Sequence, residues 1–188
     1  VNGTPLGNIL SYCPRCGSDT RVETPGGDDM ARYVCTDCGT VLYENPKPVV
    51  GCVTEHEGRI LLCKRAIKPQ LGFWTVPAGF MELGENLGQA ALRETREEAC
   101  AEVTLGSMLA VVDVVQAGQV HIFFRGKLAT PEFAAGDESL DVRLYAPEEI
   151  PWDEIAFSSG HIALKQFLEQ RAAGVESVHY EVAPTNRL

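Results

Sequence analysis

Two cysteine pairs constrain this chain more than any other feature. Cys13-Pro-Arg-Cys16 and Cys35-Thr-Asp-Cys38 are separated by 18 residues, inside the spacing that two C-x-x-C pairs adopt in a zinc ribbon. Each pair is followed by a glycine, Gly17 and Gly39, able to take the positive backbone angle of a tight knuckle. A segment of about 35 residues is too small to hold itself together by burial alone. Four thiolates complete the tetrahedral shell of Zn²⁺ and leave no position for a catalytic water. The pattern predicts a structural zinc site on Cys13, Cys16, Cys35 and Cys38. Redox or unpaired dithiols are the competing reading; one C-x-x-C is weak evidence, but two at this spacing favour zinc. Cys52 and Cys63 sit in apolar runs and are expected in the core.

The charge balance limits the partners. The chain has 188 residues and a net charge of −10, which disfavours a general nucleic-acid or anionic-membrane binder. Residues 1–45 carry three arginines (Arg15, Arg21, Arg32) against six acids, so the ribbon is expected to serve as a scaffold or dimerisation element and not to grip phosphates. No apolar run approaches a membrane span. The segment VNGTPLGNILSYC lacks the basic and hydrophobic stretches of a secretory signal, and with seven cysteines this favours a cytoplasmic setting with reduced thiols. An anionic substrate stays open if divalent cations bridge it to the protein.

The expected organisation is a ribbon over 1–45, an α/β domain over 46–173 and a tail over 174–188. YENPKP stiffens the first junction. VVGCVTEHEGRILLCKR predicts two strands around EHEG, and SMLAVVDVVQAGQVHIFFRGKLA two more around QAGQ. LDVRLYA predicts a strand with Asp141, Arg143 and Tyr145 alternating against Val142 and Leu144. PEEI predicts a short turn or helix, and HIALKQFLEQRAA a longer helix. A mixed sheet between helices is the expected core. SVHYEV in the tail fits a strand added to the ribbon or to a partner chain.

The stretch GFMELGENLGQAALRETREEACA concentrates acid on one short helix. Glu94, Glu97 and Glu98 fall within an arc of about 100°. Acid-rich helix faces are usually solvated. Here, however, glycine and proline punctuate the approach WTVPAGF, Leu87, Ala90 and Ala91 form an opposite packable side, and Arg93 stands one turn before Glu97 as an i,i+4 partner. An oxygen-rich cluster of this kind suits Mg²⁺ or Mn²⁺, which neutralise a diphosphate and orient a water.

These residues resemble the Nudix box, G-x5-E-x7-R-E-U-x-E-E-x-G-U with U aliphatic. Gly79, Glu85, Arg93, Glu94, Glu97 and Glu98 match at the required spacing, while Thr95, Cys100 and Ala101 depart from it. Cys100 replaces the glycine that would end the helix in a left-handed conformation, which leaves the cap geometry open. The resemblance implies an α/β/α sandwich with a mixed sheet, preceded here by the small β ribbon. It further implies hydrolysis of a nucleoside diphosphate linked to another moiety. By the same resemblance Glu94, Glu97, Glu98 and the Ala78 carbonyl hold the metal, and Glu85 and Arg93 orient the site. A homodimer is implied in the same way.

Within the family, an N-terminal ribbon occurs in the NADH pyrophosphatases and in a branch that resembles the plant-type FAD and ADP-ribose pyrophosphatases and their bacterial relatives. The S-Q-P-W-P-F-P-x-S array of the former is missing after the box. The segments CPRCG, CTDCG, YENPKPVVGC, LLCKRAIKPQLGFWTVPAGFMELGE and ESLDVRLYAPEEIPWDEIAFSS carry the likeness to the latter. The expected reaction splits FAD into FMN and AMP, or ADP-ribose into AMP and ribose 5-phosphate. NADH hydrolysis, or a non-catalytic nucleotide sensor with a protein-binding ribbon, are the alternatives. Glu138 and Asp141 stand where Nudix enzymes often place a further metal-binding or base carboxylate. Phe73, Trp74, Tyr145 and Phe157 are candidates to stack on a base or flavin ring, and Arg65 and Lys64 to meet phosphate; for each, core packing or a solvated strand end competes.

Overall fold

In the computed structural model, residues 9–184 are described. Residues 1–8 and 185–188, which open the expected ribbon segment and close the expected tail, lie outside the described residues. The chain divides at the Pro46–Lys47 junction into two compact units.

The first unit is a three-stranded antiparallel sheet in the order β1 (Thr20–Glu23), β2 (Arg32–Cys35), β3 (Val41–Leu42). Its buried residues are few: Cys13 and Cys35 join Tyr33 and Val34. Gly17 and Gly39, one after each cysteine pair, have φ of 79° and 68°, so each knuckle uses a conformation that glycine adopts without steric cost.

The second unit is built on a sheet of order β10 (Ser139–Tyr145), β5 (Arg59–Arg65), β4 (Lys47–His56), β9 (Gln119–Leu128), β8 (Val103–Val114), β11 (His179–Val182). Two short strands, β6 (Trp74–Thr75) on β5 and β7 (Ala78–Phe80) on β4, complete it. The β4–β9 and β8–β11 pairs are parallel and the others antiparallel, so the sheet is mixed. Successive strand residues face opposite sides. On β9, Ile122 packs with Val50, Cys52, Ala90 and Ala91 beneath α1 (Leu87–Ala99). Its neighbour Phe123 packs with Val53, Leu62 and Val112 against Ile162, Leu164 and Phe167 of α2 (Ser158–Ala173). One helix thus covers each face.

Two expectations change. SVHYEV joins the main sheet instead of the ribbon or a partner: His179–Val182 pairs parallel to Ala110–Asp113, Tyr180 donates its hydroxyl to Asp113 at 2.7 Å, and Ala183 is buried. On β10, Val142 and Leu144 pack on one side as expected. On the other, Tyr145 stacks edge-on against Trp74, at 5.1 Å between ring centroids. The end of that strand is covered on both faces.

Candidate active site

α1 opens with a full capping box. The Asn86 side chain accepts from the Gln89 N–H, and the Gln89 side chain accepts from the Asn86 N–H, both at 2.9 Å. This fixes the start of the helix and with it the direction of the carboxylates one and two turns later. Arg93 is the hub. Its guanidinium donates to both oxygens of Glu85 at 2.6 and 3.0 Å, to Glu94 at 2.7 Å, to Glu97 at 2.9 Å and to the Phe80 carbonyl at 3.0 Å. Three carboxylates drive its pKa upward, Glu85 most. In return, the Arg93 hydrogen bond holds the Glu85 carboxyl below its ordinary value.

The Glu94 carboxylate rests directly on Gly79 of β7: a Cβ at position 79 would collide with that carboxylate, so a larger residue there would push Glu94 out of place. The Ala78 N–H donates to Glu98 at 3.3 Å and anchors that side chain from the strand side. At the other end of the helix, Cys100 is itself the left-handed cap residue, with φ 47° and its N–H donated to the Arg96 carbonyl. The loop after β9 supplies donors to two more of the last helix carbonyls: Ala134 donates to Ala99 and Gly136 to Glu98. A Cβ on Gly136 would stand 1.7 Å from the Glu97 carbonyl oxygen. The helix therefore ends without the expected glycine at 100, because the downstream loop supplies donors that the box pattern does not show.

Glu94 and Glu98 are buried, whereas Glu97 is exposed. Burial raises the Glu94 pKa, and the Arg93 contact only partly offsets it. Burial, then the Glu94 charge, pushes Glu98 up to about 8. Both side chains also feel Glu138. They open on a cleft of about 1020 Å³ lined by six acids (Glu82, Glu94, Glu97, Glu98, Asp137, Glu138) and three cations (Arg65, Lys68, Arg93). Surplus carboxylate facing itself in a cleft fits a hard divalent cation.

The other candidates separate. Ala78, Glu138 and Arg65 line the cleft with the box residues. Arg65 lies 4.9 Å from the Phe157 ring centroid, and Phe157 also lines the cleft. Asp141 does not line it and pairs with Arg143 at 2.6 Å. Trp74 is buried in the core against Tyr145, with Lys64 and Arg143 near its ring, so neither aromatic lines the cleft. Phe73 is exposed outside it. Four residues escaped the sequence reading. His121 stands in the cleft wall between Gln119 and Ser159, its Nε2 2.8 Å from the Gln119 Oε1 and its Nδ1 2.8 Å from the Ser159 Oγ. Burial pushes its pKa down to about 4, so it is neutral at physiological pH. Ser158 lines the same wall. The parallel pairing of β9 with β4 brings Gln119 and His121 to the cleft, and the start of α2 brings Ser158 and Ser159.

In the ribbon the four cysteine sulfurs lie within 4.8 Å of one another, with separations of 3.8 Å (Cys13–Cys38), 3.4 Å (Cys16–Cys35) and 3.5 Å (Cys16–Cys38). A tetrahedron with Zn–S bonds of ~2.3 Å has edges of about 3.8 Å. The Thr40 hydroxyl and N–H push the Cys38 thiol down to about 6, while, against the Cys38 N–H, burial and the neighbouring Cys16 and Cys38 thiols push Cys35 up to about 11, so the four thiols compete for charge at close range. Among the described residues, no other group of His, Cys, Asp and Glu converges in this way.

This fold and site are those of a metal-assisted hydrolase scaffold with an N-terminal ribbon. The Nudix domain profile matches residues 45–166 and the Nudix N-terminal zinc-ribbon profile residues 11–44; the chain belongs to the Nudix family. A Nudix hydrolase from Nitrosomonas europaea has a crystal structure 46% identical, with a TM-score of 0.89 over 92% of this chain and 98% of that one. An ADP-ribose pyrophosphatase from Methanocaldococcus jannaschii is 32% identical over 58% of this chain and 68% of its own length. A NAD-capped RNA hydrolase NudC from Vibrio atlanticus is 30% identical over 50% of this chain. There the match spans only 34% of the relative.

Proposed function

We propose that this protein is a divalent-metal-dependent pyrophosphohydrolase that cleaves the diphosphate bond of an ADP-containing dinucleotide. FAD (to FMN and AMP) and ADP-ribose (to AMP and ribose 5-phosphate) are the leading substrates. The observation that carries this reading is the buried pair Glu94 and Glu98, both with raised pKa, opening with Glu97 on one cleft. When bound, Mg²⁺ or Mn²⁺ supplies charge neutralisation to the diphosphate oxygens. The chain's own residues supply the geometry. Arg93 aligns Glu94 and Glu97, Glu85 holds Arg93, and the Ala78 N–H holds Glu98. Glu138, which faces the cleft, is a better placed base than Asp141, which faces Arg143. Arg65 and Phe157 are placed to meet the substrate.

The ADP-ribose pyrophosphatase relative supports ADP-ribose. The NAD-capped RNA hydrolases support a second reading, a NAD-type substrate. The acidic ribbon favours a small molecule over RNA. A cytoplasmic homodimer, with Zn²⁺ in the ribbon, completes the proposal. The test is AMP release from FAD, ADP-ribose, NADH and NAD-capped RNA with Mg²⁺ or Mn²⁺, comparing wild type with Glu97→Gln. Cleavage of none of them under either metal would refute the hydrolase reading.

A further inference from the structure

The cleft has a second pole, chemically opposite to the carboxylates. The first turn of α2 ends on it. Its N-cap, Phe157, offers no side-chain cap, and the first helical bond runs from His161 to the Phe157 carbonyl. The N–H groups of Ser158, Ser159 and Gly160 therefore have no partner among the described residues, and all three residues line the cleft. This 16-residue helix concentrates positive potential at that end.

A second observation is independent of the helix terminus. Ser158 is only 6% exposed, yet its hydroxyl has no hydrogen-bond partner among the described residues. It is not among the side-chain atoms sealed from solvent without a partner, so the hydroxyl opens on the cleft. A hydroxyl so nearly buried, with its one opening toward the cleft, is free to bond a ligand there without first giving up a protein partner. Ser159 next to it is already engaged with His121, which Gln119 holds from the other side. That chain fixes the turn rigidly. The Arg65 guanidinium, over the Phe157 ring, adds a cation at the same wall.

The strand register sets the separation of the two poles. Phe80, Val49 and His121 are neighbours across β7, β4 and β9. Two strand spacings place the His121 backbone about 10 Å from β7, and β7 is the strand against which Glu94 rests. That spacing leaves room for a group beyond a diphosphate held at α1, about one ribose unit away.

We propose that the first turn of α2, with the Ser158 hydroxyl, is a metal-independent subsite for a further phosphate group, one carried on the ribose of the substrate outside its scissile diphosphate. The proposal rests on the hydrolase reading only for its neighbour across the cleft. Zinc-loaded protein is titrated with inorganic phosphate by calorimetry, in buffer without added divalent cation. The variants are Ser158→Asp, which sets a carboxylate before the open N–H groups and suits a first helical turn, and Glu97→Gln. Binding at one site per chain is expected, weakened at least tenfold by Ser158→Asp at unchanged melting temperature and retained in Glu97→Gln. Binding that Ser158→Asp leaves unchanged, or no phosphate binding at all, overturns the proposal. With Mg²⁺ present, the ratio of kcat/KM for NADPH over NADH is expected to exceed fivefold and to fall toward one in Ser158→Asp. A ratio that does not respond to the substitution also overturns it. Failure to cleave either nucleotide while FAD or ADP-ribose is cleaved counts against the NAD-type substrate and leaves the hydrolase reading standing; the calorimetry then decides the subsite alone.

Discussion

The ribbon and the carboxylate cleft are both clusters of metal-ligand side chains, but they relate to their scaffolds in opposite ways. The four sulfurs of the ribbon converge within 4.8 Å in a unit with almost no apolar core. There the ligands are the core. The carboxylates of the cleft stand on a helix whose cap, packing face and C-terminal loop are complete on their own, and Arg93 occupies their centre as a resident cation. On the proposed reading, the first arrangement would make metal a condition of folding and the second a condition of chemistry.

The largest effect expected from this contrast is on zinc removal. Structural zinc contributes on the order of 10–16 kcal/mol in modules of this size, far more than a small three-stranded sheet supplies. Metal analysis should give one zinc per chain, and chelation should unfold the ribbon. Both tryptophans, Trp74 and Trp152, lie in the second unit, so their fluorescence should stay native while the ribbon amides lose protection from exchange. Ribbon amides that stay protected after complete zinc removal would erase the contrast.

Next in size is Glu97→Gln. Glu97 is exposed, and among the described residues its carboxylate pairs with Arg93 alone, so its loss should leave the melting temperature within about 1 °C. Turnover should fall roughly 10²–10⁴-fold. A parallel fall in stability would mean that the carboxylate holds the fold, as the cysteines do.

How far the sequence reveals each region follows from the same contrast. Ribbon ligands are local, and their spacing alone identifies them. The helix face and the Arg93–Glu97 pair follow from 3.6-residue periodicity. What periodicity does not carry is long-range pairing. Glu85 reaches Arg93 across the start of the helix. Ser159 meets His121 across 38 residues. The tail strand finds β8 through a parallel register with no turn to announce it. Trp74 and Tyr145 illustrate the converse: their composition suits stacking on a ligand, but β6 and β10 both pair with β5 and turn them onto each other.

The cleft scaffold also carries its own pH signature. His121 has a pKa of about 4 in the fold against an ordinary 6.5, through burial. Between those values the unfolded chain binds the proton first, so the His121 contribution to stability is full above pH 6.5 and is lost as pH falls toward 4. The slope is at most one proton, ~1.4 kcal/mol per pH unit. Glu94 and Glu98, whose pKa values burial raises, give a slope of opposite sign in the same window, so the readout of tryptophan-monitored unfolding is the difference: the loss of stability on acidification should be steeper in wild type than in His121→Asn. Equal slopes would remove His121 from the set of groups held neutral by burial, and weaken the case for a scaffold rigid without ions.

The smallest effect tests the helix end. Cys100 holds φ at 47°, a left-handed conformation that costs a residue with a Cβ roughly 1 kcal/mol relative to glycine. Cys100→Gly relieves that strain but adds freedom to the unfolded chain, which takes back about 0.4–1 kcal/mol, so the net gain should be at most about 0.6 kcal/mol, or about 2 °C in melting temperature. Cys100→Val, β-branched and ill-suited to positive φ, should lose more than glycine gains. The pair of variants separates backbone strain from any contact the thiol makes. If glycine also destabilises, the cysteine side chain contributes more than its conformation costs. In that case the departure from the box pattern at this position is a packing choice, not a tolerated defect covered by the Gly136 and Ala134 donors.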